Sequence, residues 1–345
     1  MIISATTVKD SRENVEKFVR RNLLGGIDHL VLFLDAPLPE VEAYLDDHPD
    51  VTYVRAHGEW WGDLDPGGLN ERQINNAALI SRLAAGFPWA EWMFMLDGDE
   101  VARIDRAALD RLDRRTRAVR LRPLEAASRL HPESDPTLFK RLLDEEELQL
   151  LHVLGVISEP KQRSYFRGHM SGKPGVRPSS DLALGVHHVI DTGTGERVRS
   201  VTDPGLTLLH YESHNGEEFV RKWMALLSSG DDVRQHHKRA PLARSIAALL
   251  ALDLPEARTS EMLERLYERY ALDDLDTLSR RGLLVEVHPD EGERRPRPAD
   301  AEIRQLRELL RRAYDAPKRV FRPRAQDKRA PKVIGKLQRG VRRIR

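Results

Sequence analysis

Residues 92–100 read Trp-Met-Phe-Met-Leu-Asp-Gly-Asp-Glu, and this stretch decides the fold. Five apolar residues in succession are typical of a central strand that is buried on both faces. The carboxylates of Asp97, Asp99 and Glu100 follow at once. Ligands of open α/β sheets bind at the carboxyl ends of the strands, and these acids fall there. The stretch therefore predicts a strand that ends in a binding site.

Two interpretations of these acids are open. Carboxylates beside a buried strand need a compensating cation or proton donor, so Asp97 and Asp99 could hold a divalent metal for a diphosphate ligand. Alternatively, the acidic turn caps a helix predicted over Ile104–Leu112. The apolar strand in front of the acids favours the metal site.

The pattern around this strand predicts strands that alternate with helices. Over the first hundred residues we predict the strands Ile2–Val8, His29–Leu34 and Val51–Arg55 and the helices Glu13–Leu24 and Asn70–Ala85. Such alternation is typical of an α/β fold with a mostly parallel sheet flanked by helices. Further along we predict the strands Ala118–Arg122 and Gly205–His210, a helix over Asp144–Leu151, an active-site loop region over 161–190, and helices over 217–228, 240–252, 259–270 and 300–313.

Composition limits the classes of protein to which the chain can belong. It has 345 residues and no cysteine, which excludes disulfides and Cys-ligated zinc and suits a reducing cytoplasm. The amino terminus lacks the basic start and apolar core of a signal peptide. No stretch approaches the roughly 18 apolar residues of a membrane-spanning helix. We therefore expect a cytoplasmic protein.

Charge is distributed unevenly along the chain. Residues 311–345 hold 14 Lys and Arg against 2 acidic residues, a net charge of +12. Because the whole chain has a net charge of +1, the residues before 311 carry −11. An acidic body with a basic tail indicates that the tail has an anionic partner of its own. We expect 316–345 to be a mobile tail, with a short helix near Val333–Arg345. It could dock the protein on the inner face of a membrane.

Four stretches of the sequence resemble a known family. They are Thr7-Val8-Lys9-Asp10 with Glu16–Arg20 and Gly26-Ile27-Asp28-His29; Arg72-Gln73 with Asn75 or Asn76, Trp92 and 96–100; Lys173 with Val176-Arg177-Pro178 and His187; and His210-Tyr211 with Ser213 and 217–222. In this order they are similar to motifs of the family 2-like glycosyltransferases, in the branch shared with family 92 and domain of unknown function 23. The resemblance covers about residues 1–225. The family's first Lys is usually followed by Asn-Glu, whereas Asp10-Ser11 stands here, and 118–160 matches no motif.

The resemblance implies a GT-A fold over 1–225, which leaves a helical region at 226–315 and the basic tail at 316–345. It also implies transfer of a sugar from a nucleotide-diphosphate sugar to a glycan, lipid-linked or small-molecule acceptor, with inversion as the family habit. Mn²⁺ or Mg²⁺ would neutralise the leaving diphosphate. The candidate donor-binding residues are Thr7, Lys9, Asp35, Arg72, Gln73, Asp97, Lys173 and Arg177; the candidate metal ligands are Asp97, Asp99 and His210; and the candidate catalytic bases are Asp181, Glu212 and His214.

Two rival functions remain. Asp97-Gly98-Asp99-Glu100-Val101 also satisfies the nucleophile motif of haloacid-dehalogenase-like phosphatases, with Asp97 as the nucleophile and Gly230-Asp231-Asp232 as a late acidic motif. That motif normally lies on the first strand of its domain, which weighs against this alternative. The other rival is a non-catalytic protein that binds an anionic surface through its basic tail. We regard nucleic acid as the less favoured partner of the tail.

Overall fold

The computed structural model describes residues 1–62, 64–179, 181–212, 214–228, 240–294, 296–322, 329–342 and 344. Ser213 of the glycosyltransferase-like motif and Gly230-Asp231-Asp232 of the phosphatase-like motif lie outside these residues. Within the described part of the chain, no helix has both the length and the apolar character that crossing a membrane requires.

Strands and helices alternate in the first part of the chain. The strands are β1 (Ile2–Val8), β2 (His29–Leu34), β3 (Val51–Arg55), β4 (Trp92–Met95), β5 (Glu100–Ile104), β6 (Ala118–Ala126), β7 (Leu138–Lys140), β8 (Lys173–Val176), β9 (Leu182–Leu184), β10 (Val189–Asp191), β11 (Arg197–Val198), β12 (Val201–His210) and β13 (Leu284–Glu286). The helices are α1 (Arg12–Leu24), α2 (Pro39–Leu45), α3 (Leu69–Ala84), α4 (Arg106–Asp110), α5 (Glu145–Val153), α6 (Gln162–Tyr165), α7 (Gly216–Ser228), α8 (Ala240–Leu250), α9 (Glu256–Tyr270), α10 (Leu275–Arg280), α11 (Asp300–Tyr314) and α12 (Ala330–Arg339). Short 3₁₀ helices cover Gly58–Trp61 and Lys318–Phe321.

The chain divides into two compact units. The first unit comprises Met1–Pro123, Ser171–Leu208 and Pro289–Arg345, and the second comprises Leu124–Met170 and Leu209–His288. The first unit is thus discontinuous in sequence. This division differs from the predicted one, because α11 and α12 belong to the first unit while 226–288 belongs to the second.

A mixed sheet forms the centre of the first unit. Its strands follow the order β6-β8-β4-β1-β2-β3. β1 is parallel to both β2 and β4, and β2 is parallel to β3. β8 is antiparallel to β4 and to β6. The sheet is therefore mixed, whereas the sequence predicted a mostly parallel one. The antiparallel strand β8 was not predicted because its sequence, Lys-Pro-Gly-Val, is not typical of a strand.

Helices cover both faces of this sheet. Alternate residues of a strand point to opposite faces, and accordingly Ile3 and Ile2 of β1 belong to different apolar clusters. The cluster around Ile3 includes residues of α3 and α11, and the cluster around Ile2 includes residues of α1. Helix α1 begins at a Ser11 cap, whose hydroxyl accepts from the backbone N–H of Asn14. The α/β class with flanking helices is confirmed.

The second unit has a core of its own, built from two apolar clusters. One is formed by α7, α8 and α9, with Phe219 and Tyr267 fully buried. The other surrounds Leu151 of α5 and Leu278 of α10. A short antiparallel sheet joins β7 to β13 and to the end of β6. Helix α5 begins with a capping box between Asp144 and Glu147, close to the predicted start of this helix.

The described part of the basic tail is packed onto the first unit. Val320, Phe321 and Val341 are at most 2% exposed and belong to the same apolar cluster as Ile3. The expectation of a mobile tail is therefore wrong for these residues. The tail has too few apolar residues to build a core of its own. In α12 their spacing places them on one face of the helix, and this face packs against the core of the first unit.

Candidate functional site

The carboxyl ends of three neighbouring parallel strands carry polar side chains. The register pairs Val8 of β1 with Leu34 of β2, and Ala5 of β1 with Met95 of β4. Thr7, Asp35 and Asp97 therefore stand at the same edge of the sheet, one at the end of each strand. We call this set the carboxyl edge. It is where ligands of open α/β sheets bind.

Helix α3 joins the three strand ends by hydrogen bonds. Its residues Arg72, Gln73 and Asn76 share one face, because they are spaced one and four positions apart. The guanidinium of Arg72 donates to both carboxylate oxygens of Asp35, at 2.8–3.1 Å, and to the backbone oxygen of Gly67 at 2.7 Å. This forked contact fixes the carboxylate in orientation as well as position.

The other two contacts of α3 reach β4 and β1. The Gln73 amide donates to Oδ1 of Asp97 at 2.8 Å, and the Asn76 amide donates to the hydroxyl of Thr7 at 3.0 Å. Gln73 and Asn76 are both buried. Buried amides of this kind hold their partners in one arrangement. The carboxyl edge is thus positioned before any ligand arrives.

A fully buried lysine compensates the acids that follow β4. The ammonium Nζ of Lys173 lies 2.7 Å from Oδ2 of Asp97 and 3.5 Å from Oε2 of Glu100. Glu100 is itself 4% exposed and accepts from the backbone N–H of Asp97 at 2.8 Å. Burial lowers the pKa of Lys173, but the carboxylates of Glu100 and Asp97 outweigh it, and the pKa is raised. Lys173 is therefore a cation at neutral pH.

These contacts bear on which acid could hold a metal. Oδ1 of Asp97 accepts a hydrogen bond from Gln73, and Oδ2 pairs with the Lys173 ammonium. This ammonium would repel a second cation at Asp97. The donor set therefore does not fit a metal bound directly by Asp97. Asp99 is half-buried and follows Gly98 on the turn between β4 and β5. An oxygen ligand at this position suits Mg²⁺ or Mn²⁺.

Two of the predicted site residues, Arg177 and Asp181, lie away from the carboxyl edge. Because β8 is antiparallel to β4, it brings Lys173 to the carboxyl end of β4 and Arg177 to the amino end, beside Trp92. The Arg177 guanidinium lies 4.4 Å from the centre of the Trp92 ring and donates to the backbone oxygen of Thr116. Arg177 is thus a packing residue of the opposite edge.

Asp181 and Lys9 are also separate from the polar network of α3. Asp181 is exposed and pairs with Arg117 at 2.6 Å. Within the described residues its carboxylate thus contacts Arg117 and not a residue of the carboxyl edge. Lys9 is exposed just after β1, at the carboxyl edge itself. Its position is open to a ligand, and no contact of the described residues holds it there.

The remaining candidates, His210, Glu212 and His214, belong to the second unit, whereas Asp97 and Asp99 belong to the first. His210 is 8% exposed, and its Nε2 lies 3.6 Å from Oε2 of Glu212. Glu212 also pairs with Lys222 at 2.8 Å. The ring of His214 lies edge-on to Tyr211, at 5.6 Å between ring centres.

Sequence reasoning missed a buried charge cluster in the second unit. Lys140 is fully buried and lies 2.8 Å from Glu125 and 3.0 Å from Asp273. Burial lowers the pKa of Lys140, but Glu125 and Asp273 raise it more, so the pKa is raised. These three residues are far apart in sequence, and only the spatial pairing reveals them. Asn76, by contrast, could have been found from its helical spacing to Arg72 and Gln73.

This charge cluster is bonded to the backbone segment that lies against His210. Glu125 accepts from the backbone N–H groups of Arg167 and Gly168. A Cβ atom at Gly168 would lie 2.3 Å from Cε1 and Nδ1 of the His210 ring. Glycine is therefore required for the backbone to approach the imidazole so closely. The buried pair Lys140–Glu125 holds the backbone that confines His210.

The sequence comparisons add no relative. Neither a protein-family model nor a curated protein sequence matches this chain. The likeness to the family 2-like glycosyltransferases rests on the four motifs alone.

Proposed function

We propose that this protein is a glycosyltransferase with a GT-A-like first unit, which binds a nucleotide-diphosphate sugar at the carboxyl edge. One observation carries the proposal. Helix α3 holds Thr7, Asp35 and Asp97, at the ends of three adjacent parallel strands, through Asn76, Arg72 and Gln73. A row of fixed polar groups at this edge suits a ligand with a base, a ribose and a diphosphate.

Within this proposal, Asp35 and Thr7 contact the nucleoside. The Arg72 fork leaves lone pairs on the Asp35 carboxylate, which can accept hydrogen bonds from a base or a ribose hydroxyl. Lys9 is exposed at the same edge and can approach a phosphate. Asp97 takes a positioning role because both of its oxygens are already contacted.

Asp99 would hold Mn²⁺ or Mg²⁺. When bound, such a cation stabilises the negative charge that develops on the leaving nucleoside diphosphate. Lys173 does not reach a phosphate, because its side chain is fully buried. Its role is to neutralise Asp97 and Glu100, so that one acidic turn can carry three carboxylates.

The proposal keeps Glu212 and His214 as candidate bases for the acceptor hydroxyl and His210 as a candidate metal ligand. A base must lie within hydrogen-bond reach of the hydroxyl that it deprotonates. Glu212 is positioned by its ion pair with Lys222 at 2.8 Å. His210 is confined by the Gly168 backbone, so its ring is held in one orientation.

Thermal unfolding of the full chain tests the proposal. A ligand present at about 100 times its Kd stabilises the fold by about 2.7 kcal/mol, a readily measured shift. We expect a UDP-, GDP-, ADP- or dTDP-sugar to raise the unfolding temperature, and to do so more in the presence of Mn²⁺. Asp99→Asn should remove the Mn²⁺-dependent part.

Asp47→Asn is the matched control, because Asp47 is an exposed acid that precedes β3 at the opposite edge. It should change neither the rise in unfolding temperature caused by the nucleotide sugar nor the additional rise caused by Mn²⁺. If no nucleotide sugar stabilises the protein, or if Asp99→Asn keeps the full Mn²⁺ effect, the proposal is wrong. Incubation with phosphatase substrates provides the rival test: release of phosphate that depends on Asp97 would favour the phosphatase.

A further inference from the structure

The last helix is attached to the first unit by its apolar face. Ala330 is buried, and Val333, Ile334 and Leu337 pack against the same core cluster. The side chain of Gln338 donates to the backbone oxygens of Arg82, Leu83 and Ala85 at 2.9–3.3 Å. These are carbonyls at the carboxyl end of α3, which lack partners within their own helix. Helix α12 is therefore a fixed element of the fold.

The outward face of α12 is basic. Arg329, Lys332, Lys336 and Arg339 are exposed and spaced three, seven and ten positions from the first. This spacing keeps them on one side of a helix. Lys332, Lys336 and Arg339 make no ion pair with any residue that the structure describes. The sequence 329–345 contains no acidic residue at all. Three of the four basic side chains on this face, Lys332, Lys336 and Arg339, are therefore uncompensated by any described residue and face solvent.

We propose that this basic face of α12 docks the protein on an anionic phospholipid surface. The helix is amphipathic, but its apolar face is used by the core, so the contact is electrostatic and does not insert into the bilayer. Clusters of four or more Lys and Arg on an amphipathic helix are typical of binding to acidic lipid headgroups. The segment 329–345 contains no aromatic residue that could stack on bases, which favours lipid over nucleic acid.

This inference does not depend on the glycosyltransferase proposal, because it concerns a different face and a different ligand. Truncation is a poor test, since it would remove Phe321 and Val341 from the core. Charge replacement keeps the apolar face. In the variant Lys332→Gln, Lys336→Gln, Arg339→Gln, we expect affinity for phosphatidylserine-containing vesicles to fall about 100-fold.

Co-sedimentation measures the binding. The full chain should sediment with vesicles of phosphatidylcholine and phosphatidylserine at about 100 mM salt, and much less at about 500 mM. It should not sediment with pure phosphatidylcholine. A matched control replaces Arg258, Arg265 and Arg280 with Gln, which changes the net charge equally at exposed, carboxylate-paired positions. This control should bind vesicles as the wild type does.

Three outcomes would overturn the proposal: no sedimentation of the wild type with the anionic vesicles, equal loss in the control variant, or tighter binding to an oligonucleotide than to vesicles. Circular dichroism and thermal unfolding establish that each variant is folded. Nucleotide-sugar stabilisation measured on the same variants should stay unchanged, so failure here is distinct from failure of the glycosyltransferase proposal.

Discussion

The ammonium of Lys173 lies 2.7 Å from Oδ2 of Asp97, and the whole lysine side chain is buried. This ion pair makes the acidic turn after β4 possible. Lys173→Met should lower the free energy of unfolding by about 3–5 kcal/mol, because Asp97 and the buried Glu100 lose their cation. Adding Glu100→Gln should restore part of the loss. Denaturant unfolding measures both, with Lys9→Met as an exposed control. A loss below about 1 kcal/mol would exclude Lys173 as the compensating cation.

Replacement of Arg72 by Lys tests the carboxyl edge. A lysine cannot reproduce the fork on Asp35 together with the contact to Gly67. We expect at least about a tenfold loss of affinity for the nucleotide sugar that binds best. Arg106→Lys is the matched control, since Arg106 forms an equally enclosed pair with Asp28 at the other end of β2. It should reduce stability but not affinity. Equal losses of affinity would contradict a binding role for the edge.

The contact between Gly168 and His210 predicts a steric effect. In Gly168→Ala the new methyl group would lie 2.3 Å from the imidazole, so the ring or the loop must move. We expect about 1–3 kcal/mol of destabilisation and a changed imidazole NMR signal for His210. Gly335→Ala, where the added methyl group would meet only the end of the Arg339 side chain at 3.8 Å, should leave that signal unchanged. An unchanged signal in both variants would mean that Gly168 does not confine the ring.

Burial of His29 predicts acid sensitivity. Its pKa is lowered from 6.5 to about 3 because the ring is buried. The folded state therefore disfavours the protonated ring, and its stability is complete above pH 6.5 and falls as the pH drops toward 3. Relative to His29→Gln, the wild type should lose about 3 kcal/mol between pH 7 and about pH 4. Urea unfolding at several pH values measures the difference. If the free energies of unfolding of the wild type and of His29→Gln change with pH in the same way, His29 does not titrate as expected.

The burial of Lys318 predicts that the stability of the protein depends on pH in the alkaline range. Burial lowers its pKa from 10.5 to about 8, although the ammonium lies 4.2 Å from the Trp60 ring centre. The folded state thus disfavours the charged form, so stability rises with pH between 8 and 10.5. The gain relative to Lys318→Met should be about 3 kcal/mol over this interval. Guanidinium unfolding measures it. A wild type that loses stability relative to the variant over this range would show that the contacts of the ammonium with the Trp60 ring and with the backbone oxygens of Tyr314 and Ala316 outweigh its burial.

The first three strands were predictable. Ile2–Val8, His29–Leu34 and Val51–Arg55 have the predicted bounds; the first two are buried throughout, and the third is buried at Val51 and Val54. β5 was missed because Glu100–Ile104 follows an acidic turn and was interpreted as the approach to a helix. The helix predicted over Ile104–Leu112 is shorter, Arg106–Asp110. β8 was missed because proline and glycine occupy its centre.

The site was predictable where residues follow parallel strands. Asp35 and Asp97 reach one edge because their strands are parallel to β1, which the alternation of strands and helices indicates. Lys173 and Arg177 lie at the two ends of β8, and the antiparallel direction of β8 places Lys173, and not Arg177, at the carboxyl end of β4. Nothing in the local sequence gives that direction. The complete burial of Lys173 was equally hidden, because a lysine in a loop-like stretch is normally solvated.

The attachment of α12 to the end of α3 has a consequence for synthesis of the chain. The second unit is complete in sequence at His288, whereas the first needs segments from both termini. During translation the inserted unit can therefore fold while the surrounding one still lacks its last helix. Val341, a fully buried core residue of the first unit, leaves the ribosome only after the whole of the second unit has done so. Until then the growing sheet exposes apolar surface, which makes this the stage at which a nascent chain most needs chaperones.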